Sequence, residues 1–313
     1  MKYDATLYPK CTVPAAEVTR VKGLGFLRDK RTPDCFNARV ITRNGKITAD
    51  EMYAIADAAR RFGSGEVAFT TRQTAEVQSI PFEMIQPFCA FLADHGLVVG
   101  GTGPRVRPVV SCKGTSCVFG LIDTYGLSEK IHQKFYMGYH TVKLPHKFKI
   151  AVGGCPNNCV KPDLNDVGVI GAWEPKLVAE NCAGCGACVK ACPIHAASLQ
   201  NGKFSTTEKC NKCGRCVRAC KLGGLEYIGG YRIAIGGRWG KQVARGQLLS
   251  PIFESEEEVL SVIERVILFF RDQGTAGERL SDTVARIGFE RAEAMILSDE
   301  LLSRKEEILE KTL

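Results

Sequence analysis

The sequence predicts an α+β protein of two domains, the second interrupted by a small cysteine-rich insertion. Three observations lead there. Capped helical stripes alternate with short strand patterns over the first hundred residues. Apolar periodicity then vanishes between Glu180 and Tyr227, where eight cysteines appear, and strand and helix patterns resume from Tyr231. With 313 residues, 45% hydrophobic and 24% charged, the chain is long enough for two cores, which excludes a disordered protein.

Thr48 with Glu51 forms a capping box, Met52, Ile55, Ala56 and Ala59 form a helical stripe, and Gly63 is placed to stop that helix. Glu66 to Ile80 reads as extended chain. Glu83 to His95 is apolar at helical spacing, with Pro87 near its start and Gly96 behind it, and Leu97 to Val99 reads as a strand. From Val109, Gly-rich corners surround the pairs Cys112 with Cys117 and Cys155 with Cys159, while Phe148 to Val152 and Val167 to Ala172 read as strands. The Glu180 to Tyr227 stretch has too few large apolar residues for its own core, so it is expected to fold around metal. Tyr231 to Ile235 resumes a strand. Ser255 with Glu258 caps a long helix whose Val259, Val262, Ile263, Val266 and Phe270 share one face, and two further helical patterns close the chain. The expected domains are 1–106, then 107–174 together with 228–313, with 175–227 as the insertion.

The formal charge of +8 comes without any Lys/Arg run longer than two residues and without a basic helical stripe, so nucleic acid is not an expected partner. The longest strongly apolar run, Val266 to Phe270, is far short of the roughly 20 residues that span a bilayer. The polar start, Met1 to Lys10, has no apolar signal core, and the expected location is cytoplasmic. In a reducing compartment a cysteine-rich framework points to metal before disulfides, and 12 of the 15 cysteines fall into ligand-like spacings.

Cys182, Cys185, Cys188 and Cys192, followed by Pro193, have the C-x2-C-x2-C-x3-C-P spacing, and Cys210, Cys213, Cys216 and Cys220 repeat it without the proline. In two-cluster ferredoxins the fourth cysteine of each run ligates the other cluster. One [4Fe-4S] cluster is therefore assigned to Cys182, Cys185, Cys188 and Cys220, the other to Cys210, Cys213, Cys216 and Cys192. Structural zinc would leave half of this double run without a role. Cys112, Cys117, Cys155 and Cys159, by count alone, could also be a zinc site or two buried thiol pairs.

Their context separates these readings. A basic strand, Lys147-Phe148-Lys149-Ile150-Ala151-Val152, runs into Gly154-Cys155-Pro156-Asn157-Asn158-Cys159 and on to Asp166-Val167-Gly168. Thr70-Thr71-Arg72-Gln73-Thr74, Leu144-Pro145-His146-Lys147-Phe148-Lys149 and Gly277-Glu278-Arg279 add to the pattern. In these segments the sequence resembles the siroheme-dependent nitrite and sulfite reductases, over most of Arg39 to Gly171 and more weakly in the C-terminal helices. The resemblance implies a ferredoxin-like half-domain followed by a siroheme and [4Fe-4S] domain. It implies Cys112, Cys117 and Cys155 as cluster ligands and Cys159 as the thiolate bridging cluster and siroheme iron. Arg72, Gln73 and Thr74 would bind siroheme from a strand facing it. Arg39, Arg107, Lys147 and Lys149 would bind the anionic substrate. Cys112 and Cys117 enclose four residues where the assimilatory enzymes enclose five. The single-copy layout with an inserted ferredoxin is most similar to the catalytic subunit of anaerobic sulfite reductases, or to a related dissimilatory-type subunit.

The implied cofactors are siroheme and three [4Fe-4S] clusters, and the implied reaction is reduction of sulfite to sulfide. Nitrite reduction and non-catalytic electron transfer are the alternatives. Lys147 and Lys149 alternate along a strand and so share a face, opposite Phe148 and Ile150. Since no flavin or nicotinamide motif is visible, electrons are expected from a flavin- or iron–sulfur-containing partner subunit, through the insertion, in a hetero-oligomer. The five histidines show no paired metal spacing; Cys11, Cys35 and Cys89 read as small buried thiols; Gly23 and Gly25 lack the rest of a dinucleotide fingerprint.

Overall fold

A computed structural model describes residues 10–312; the polar opening Met1 to Pro9, on which the targeting expectation rests, and Leu313 lie outside the described residues. The first element of the described residues is α1 (Ala15–Leu24), which ends on Gly25, so the lone G-x-G belongs to a helix end. Strands β1 (Phe26–Arg28) and β2 (Cys35–Val40) follow, then α2 (Ala49–Phe62), whose Thr48/Glu51 capping box and Gly63 stop form as the sequence predicts. Next come β3 (Val67–Phe69), β4 (Ala75–Pro81) and α3 (Ile85–Asp94). The strands make an antiparallel sheet in the order β1-β2-β4-β3, and its core gathers Phe26, Phe36, Ile55, Ile80 and Phe88.

Two expectations are corrected in this part. Glu66 to Ile80 is a hairpin, and the Thr70–Thr74 segment, expected on a strand, forms its turn. Gln73 takes a left-handed φ of 59° there, and the Thr70 and Thr74 hydroxyls hydrogen-bond across the bend. Leu97 to Val99 contributes only an isolated bridge, Val40 with Val99.

The second core is built on a five-stranded sheet. Strand β5 (Val110–Ser111) is followed by α4 (Thr124–Ile131), which runs directly into π-helical turns over His132–Met137. Then come β6 (Ile150–Gly153) and β7 (Val167–Leu177). Residues 178–224 carry α5 (Ala187–Lys190), β8 (Ala197–Gln200), β9 (Lys203–Thr206) and α6 (Arg215–Ala219), and the sheet closes with β10 (Leu225–Ile235) and β11 (Gln247–Leu248). The order is β11-β10-β7-β6-β5, with β5, β6 and β7 parallel and β7, β10 and β11 antiparallel. Strands β7 and β10 pair without interruption from Val167 with Ile235 to Leu177 with Leu225, so they continue beyond the expected strand ends at both sides of the cysteine-rich excursion.

Helix α7 (Glu256–Gln273) starts at the Ser255/Glu258 capping box and lays Val259, Val262, Ile263, Val266 and Phe270 on this sheet's core. Four helices close the chain where two were expected: α8 (Leu280–Ile287), α9 (Phe289–Leu297), α10 (Glu300–Ser303) and α11 (Lys305–Glu310). The pattern missed the division because Gly288 and a bend at Ser298 break a nearly continuous apolar stripe. The excursion holds only a small cluster of Cys188, Ala197, Phe204, Cys216 and Leu225, in keeping with its poverty in large apolar residues. Among the described residues, no helix is long and apolar enough to cross a membrane.

Candidate functional site

Parallel strands place the first cysteine corner. β5 leads into Cys112 and β6 into Gly154-Cys155, so both thiols stand at the carboxyl ends of adjacent parallel strands, where α/β sheets commonly open a binding crevice. Cys112 N–H donates to Val152 O at 3.1 Å, and Gly154 N–H donates to Cys112 Sγ at 3.1 Å. A Cβ on Gly154 would lie 2.8 Å from Gly114 Cα and 3.6 Å from that sulfur, so only glycine leaves the corner open. Cys117 ends the short turn at Gly114–Ser116, and Cys159 is exposed. Burial pushes the Cys155 thiol up, and the nearby Cys112, Cys159 and Cys117 push it the same way. Cys112, Cys117 and Cys159 thus each lie near enough to Cys155 to act on it, and all four are free.

The expected cations act on one another near the start of β6, at the other end of that strand from Cys155. Phe148 and Ile150 are fully buried, while Lys147 and Lys149 on the opposite face are half-buried. Burial lowers Lys149 to about 8, reinforced by Arg72, Arg279 and Lys147 and opposed by Asp166. Lys147 is lowered by burial and by Arg279 and Arg107, while Arg107 is lowered to about 10 by burial and then by Arg39. One shared field therefore links Arg39, Arg107, Lys147 and Lys149. The arginines are anchored: Arg39 pairs with Glu76 at 3.2 Å, and Arg107 donates to the carbonyls of Gly103 and Gly101. Neither lysine Nζ has a hydrogen-bond or ion-pair partner among the described residues.

The hairpin turn carrying Arg72, Gln73 and Thr74 is docked against β5 and β6. Arg72 donates to Pro108 O, Ile150 O and Asn165 Oδ1, which leaves one Nη1 hydrogen uncommitted, and burial lowers it to about 9. Gln73 Nε2 donates to Ser111 O at 2.8 Å and its Oε1 accepts from Ser111 N at 2.9 Å, while Thr74 bonds Thr70.

The eight cysteines of the excursion line two small cavities. One is walled by Cys182, Cys185, Cys188 and Cys220, the other by Cys192, Cys210, Cys213 and Cys216, the crossed grouping that the ferredoxin spacing predicts. Burial raises Cys216 to about 11, helped by Cys210 and Cys213, and Cys188 is raised by burial with help from Cys220 and Cys182. Among the described residues no three ligand-type side chains stand close enough to share one metal ion. Two fourfold thiol sets, each lining its own cavity, suit polynuclear clusters in their ligand number and type.

Sequence reasoning missed the contacts that hold the excursion to the first cysteine corner. A cleft of about 330 Å³ is lined by Cys155, Pro156 and Asn157 on one side and by Cys213, Arg215 and Arg218 on the other. Arg218 donates to the carbonyls of Val118 and Gly120, just after Cys117, and its guanidinium lies 4.9 Å over Trp173. Trp173 stacks on Tyr227 at 3.9 Å and fills the space above Gly214, where a Cβ would come within 2.8 Å of the indole. Also missed was the ion pair of Asp166 with Arg279, although both residues stand in segments that carry the family resemblance. The sequence gives no sign that residues 113 positions apart will meet.

Comparison with known proteins gives the family. The model of the nitrite and sulphite reductase 4Fe-4S domain matches residues 102–304, and that of the nitrite/sulfite reductase ferredoxin-like half domain matches 28–94. The coenzyme F420-dependent sulfite reductase of Methanocaldococcus jannaschii is 31% identical over 275 residues, 86% of this chain; the chain spans 42% of that relative's length. An anaerobic sulfite reductase subunit of Salmonella typhimurium is 32% identical over 182 residues, 51% of either chain. The crystal structure of dissimilatory sulfite reductase I superposes with a TM-score of 0.67 at 23% identity, covering 84% of this chain and 69% of that one, a likeness of fold. With both halves matched and the four cysteines of the corner inside the second, the chain belongs to the nitrite and sulphite reductase family.

Proposed function

We propose that this chain is a catalytic subunit reducing sulfite to sulfide. The family brings a siroheme and a [4Fe-4S] cluster. When bound, they supply the metal that holds partly reduced sulfur and a local source of single electrons. In this reading Cys112, Cys117 and Cys155 would hold the cluster, Cys159 would hold cluster and siroheme together, and the uncommitted Arg72 N–H would bind a siroheme carboxylate.

One observation carries the choice of an anionic substrate: the Nζ groups of Lys147 and Lys149 have no hydrogen-bond or ion-pair partner among the described residues, and Arg107, itself acted on by Arg39, shares their field. An oxyanion approaching thiolates and a polycarboxylate macrocycle needs cations on the open face. At ~4 Å and an effective dielectric near 20, each contact is worth about 4 kcal/mol before desolvation. The lysines orient sulfite, and their ammonium protons are the near ones for oxygens that depart as water. The excursion, as a two-cluster ferredoxin, brings electrons from a flavin- or iron–sulfur-containing partner. In this reading the Cys213 set, which shares a cleft with Cys155, is the inner cluster and the Cys185 set the outer one.

Anaerobically purified protein should contain about 13 iron and about 12 acid-labile sulfide, show siroheme absorbance, and form sulfide from sulfite faster than ammonia from nitrite. Saturation near eight iron without macrocycle bands removes the reductase reading. Faster nitrite turnover moves the substrate to the other branch of the family.

A further inference from the structure

Asp166 is fully buried among cations, yet it binds neither lysine side chain. Both its oxygens accept from Arg279 Nη2, at 3.0 and 2.9 Å, and Oδ2 also accepts from the Lys149 main-chain N–H at 2.9 Å. Arg279 is itself nearly buried and fixed at the start of α8, where its N–H meets Asp282 and its carbonyl accepts from Asp282 and Thr283. The charged groups acting on Lys147 and Lys149 come from every side: Arg72 on the hairpin turn, Arg107 before β5, Arg238 after β10, and the Asp166–Arg279 pair. Among the groups that act most strongly on the two lysines Asp166 is the opposing charge, and a buried carboxylate without a partner captures the nearest cation.

We propose that Arg279 is a positioning residue: by occupying both oxygens of Asp166 it keeps that carboxylate from capturing Lys149 or Lys147, so their ammonium groups stay open to the anionic substrate. Lys149 donates to Asp166 through its main chain alone, so the carboxylate holds the strand without claiming the ammonium. The lowered affinity of Lys149 for its proton agrees with an ammonium that lacks a partner. This inference rests on the anion-reducing function proposed above, but its first readout is independent of turnover.

The test uses the holoenzyme and brief acetylation with acetic anhydride near pH 8, with Lys147 and Lys149 modification measured by peptide mass spectrometry. In Arg279→Gln, Lys149 pairs with the freed Asp166. Its acetylation should drop by about tenfold or more, one unit of pKa per factor of ten, and KM for sulfite should rise more than kcat falls. Adding Asp166→Asn to that variant should restore both labelling and KM. Arg279→Lys keeps a cation on Asp166 and should label like the wild type, which carries the test if the glutamine variant does not fold. Unchanged labelling in Arg279→Gln, no recovery in the double variant, or protected lysines in Arg279→Lys overturns the proposal. Labelling that behaves as expected in a protein that does not reduce sulfite overturns the function and leaves the positioning role standing.

Discussion

Lys149 sits one strand position from a fully buried phenylalanine, and burial has brought its pKa from 10.5 to about 8. Two effects of pH then run in opposite directions. Between about 8 and 10.5 the folded chain binds fewer protons at this lysine than the unfolded chain, so its contribution to stability rises with pH in that window. Its charge in the site is lost over the same window. Sulfite efficiency should therefore fall as pH rises through about 8 while the melting temperature shows no parallel fall from this group. Lys149→Met should remove that alkaline limb and lower efficiency at neutral pH by roughly 10- to 150-fold, the loss of one charge-assisted contact of about 1.5 to 3 kcal/mol, with siroheme absorbance retained. An alkaline limb that survives in Lys149→Met belongs to another group. The paired lysine face was legible because Lys147 and Lys149 alternate with Phe148 and Ile150. Arg279 was visible only as part of a helix-start motif, because its partner lies on a distant strand.

At the scale of elements, the hairpin of β3 and β4 joins the two halves of the molecule. Gln73 presents an amide that pairs with Ser111 N–H and C=O as another strand's peptide would, extending the β5 edge by one bridge. The extended character of Glu66 to Ile80 could be read from its residues, but the turn could not. Thr-Thr-Arg-Gln-Thr has no glycine, proline or asparagine to announce it, and Gln73 is held in its left-handed conformation by tertiary contacts. Replacing Gln73 by Leu leaves two backbone groups of Ser111 without partners. This should cost about 1 to 3 kcal/mol, read as a lower denaturant midpoint of the intact protein, and loosen Arg72 from Pro108 and Ile150. An unchanged midpoint would mean that water satisfies Ser111 and that the hairpin docks through Arg72 alone.

At the scale of the whole molecule, the long β7–β10 ribbon carries the excursion outward from the sheet, and Arg218 folds it back against the Cys117 loop. The cysteine spacings announced the two thiol sets, and the cavities group the side chains as the spacing predicts. Which set faces the first cysteine corner was not legible, because the choice depends on how the ribbon tip bends and on Trp173 packed between Tyr227 and Arg218. If electrons pass from the Cys185 set through the Cys213 set to the corner at Cys155, Cys185→Ala and Cys213→Ala should each abolish turnover driven by the protein donor. Both should leave turnover with a small artificial reductant, which needs no docking at the excursion. Arg218→Ala tests the route without removing a ligand. It removes two carbonyl contacts and a cation–π contact, together worth roughly 2 to 4 kcal/mol of docking, and leaves all twelve ligand-spaced cysteines in place. Iron content should be unchanged, donor-driven turnover should fall, and dye-driven turnover should hold. Equal losses with both reductants would make the excursion a folding element and not an electron path.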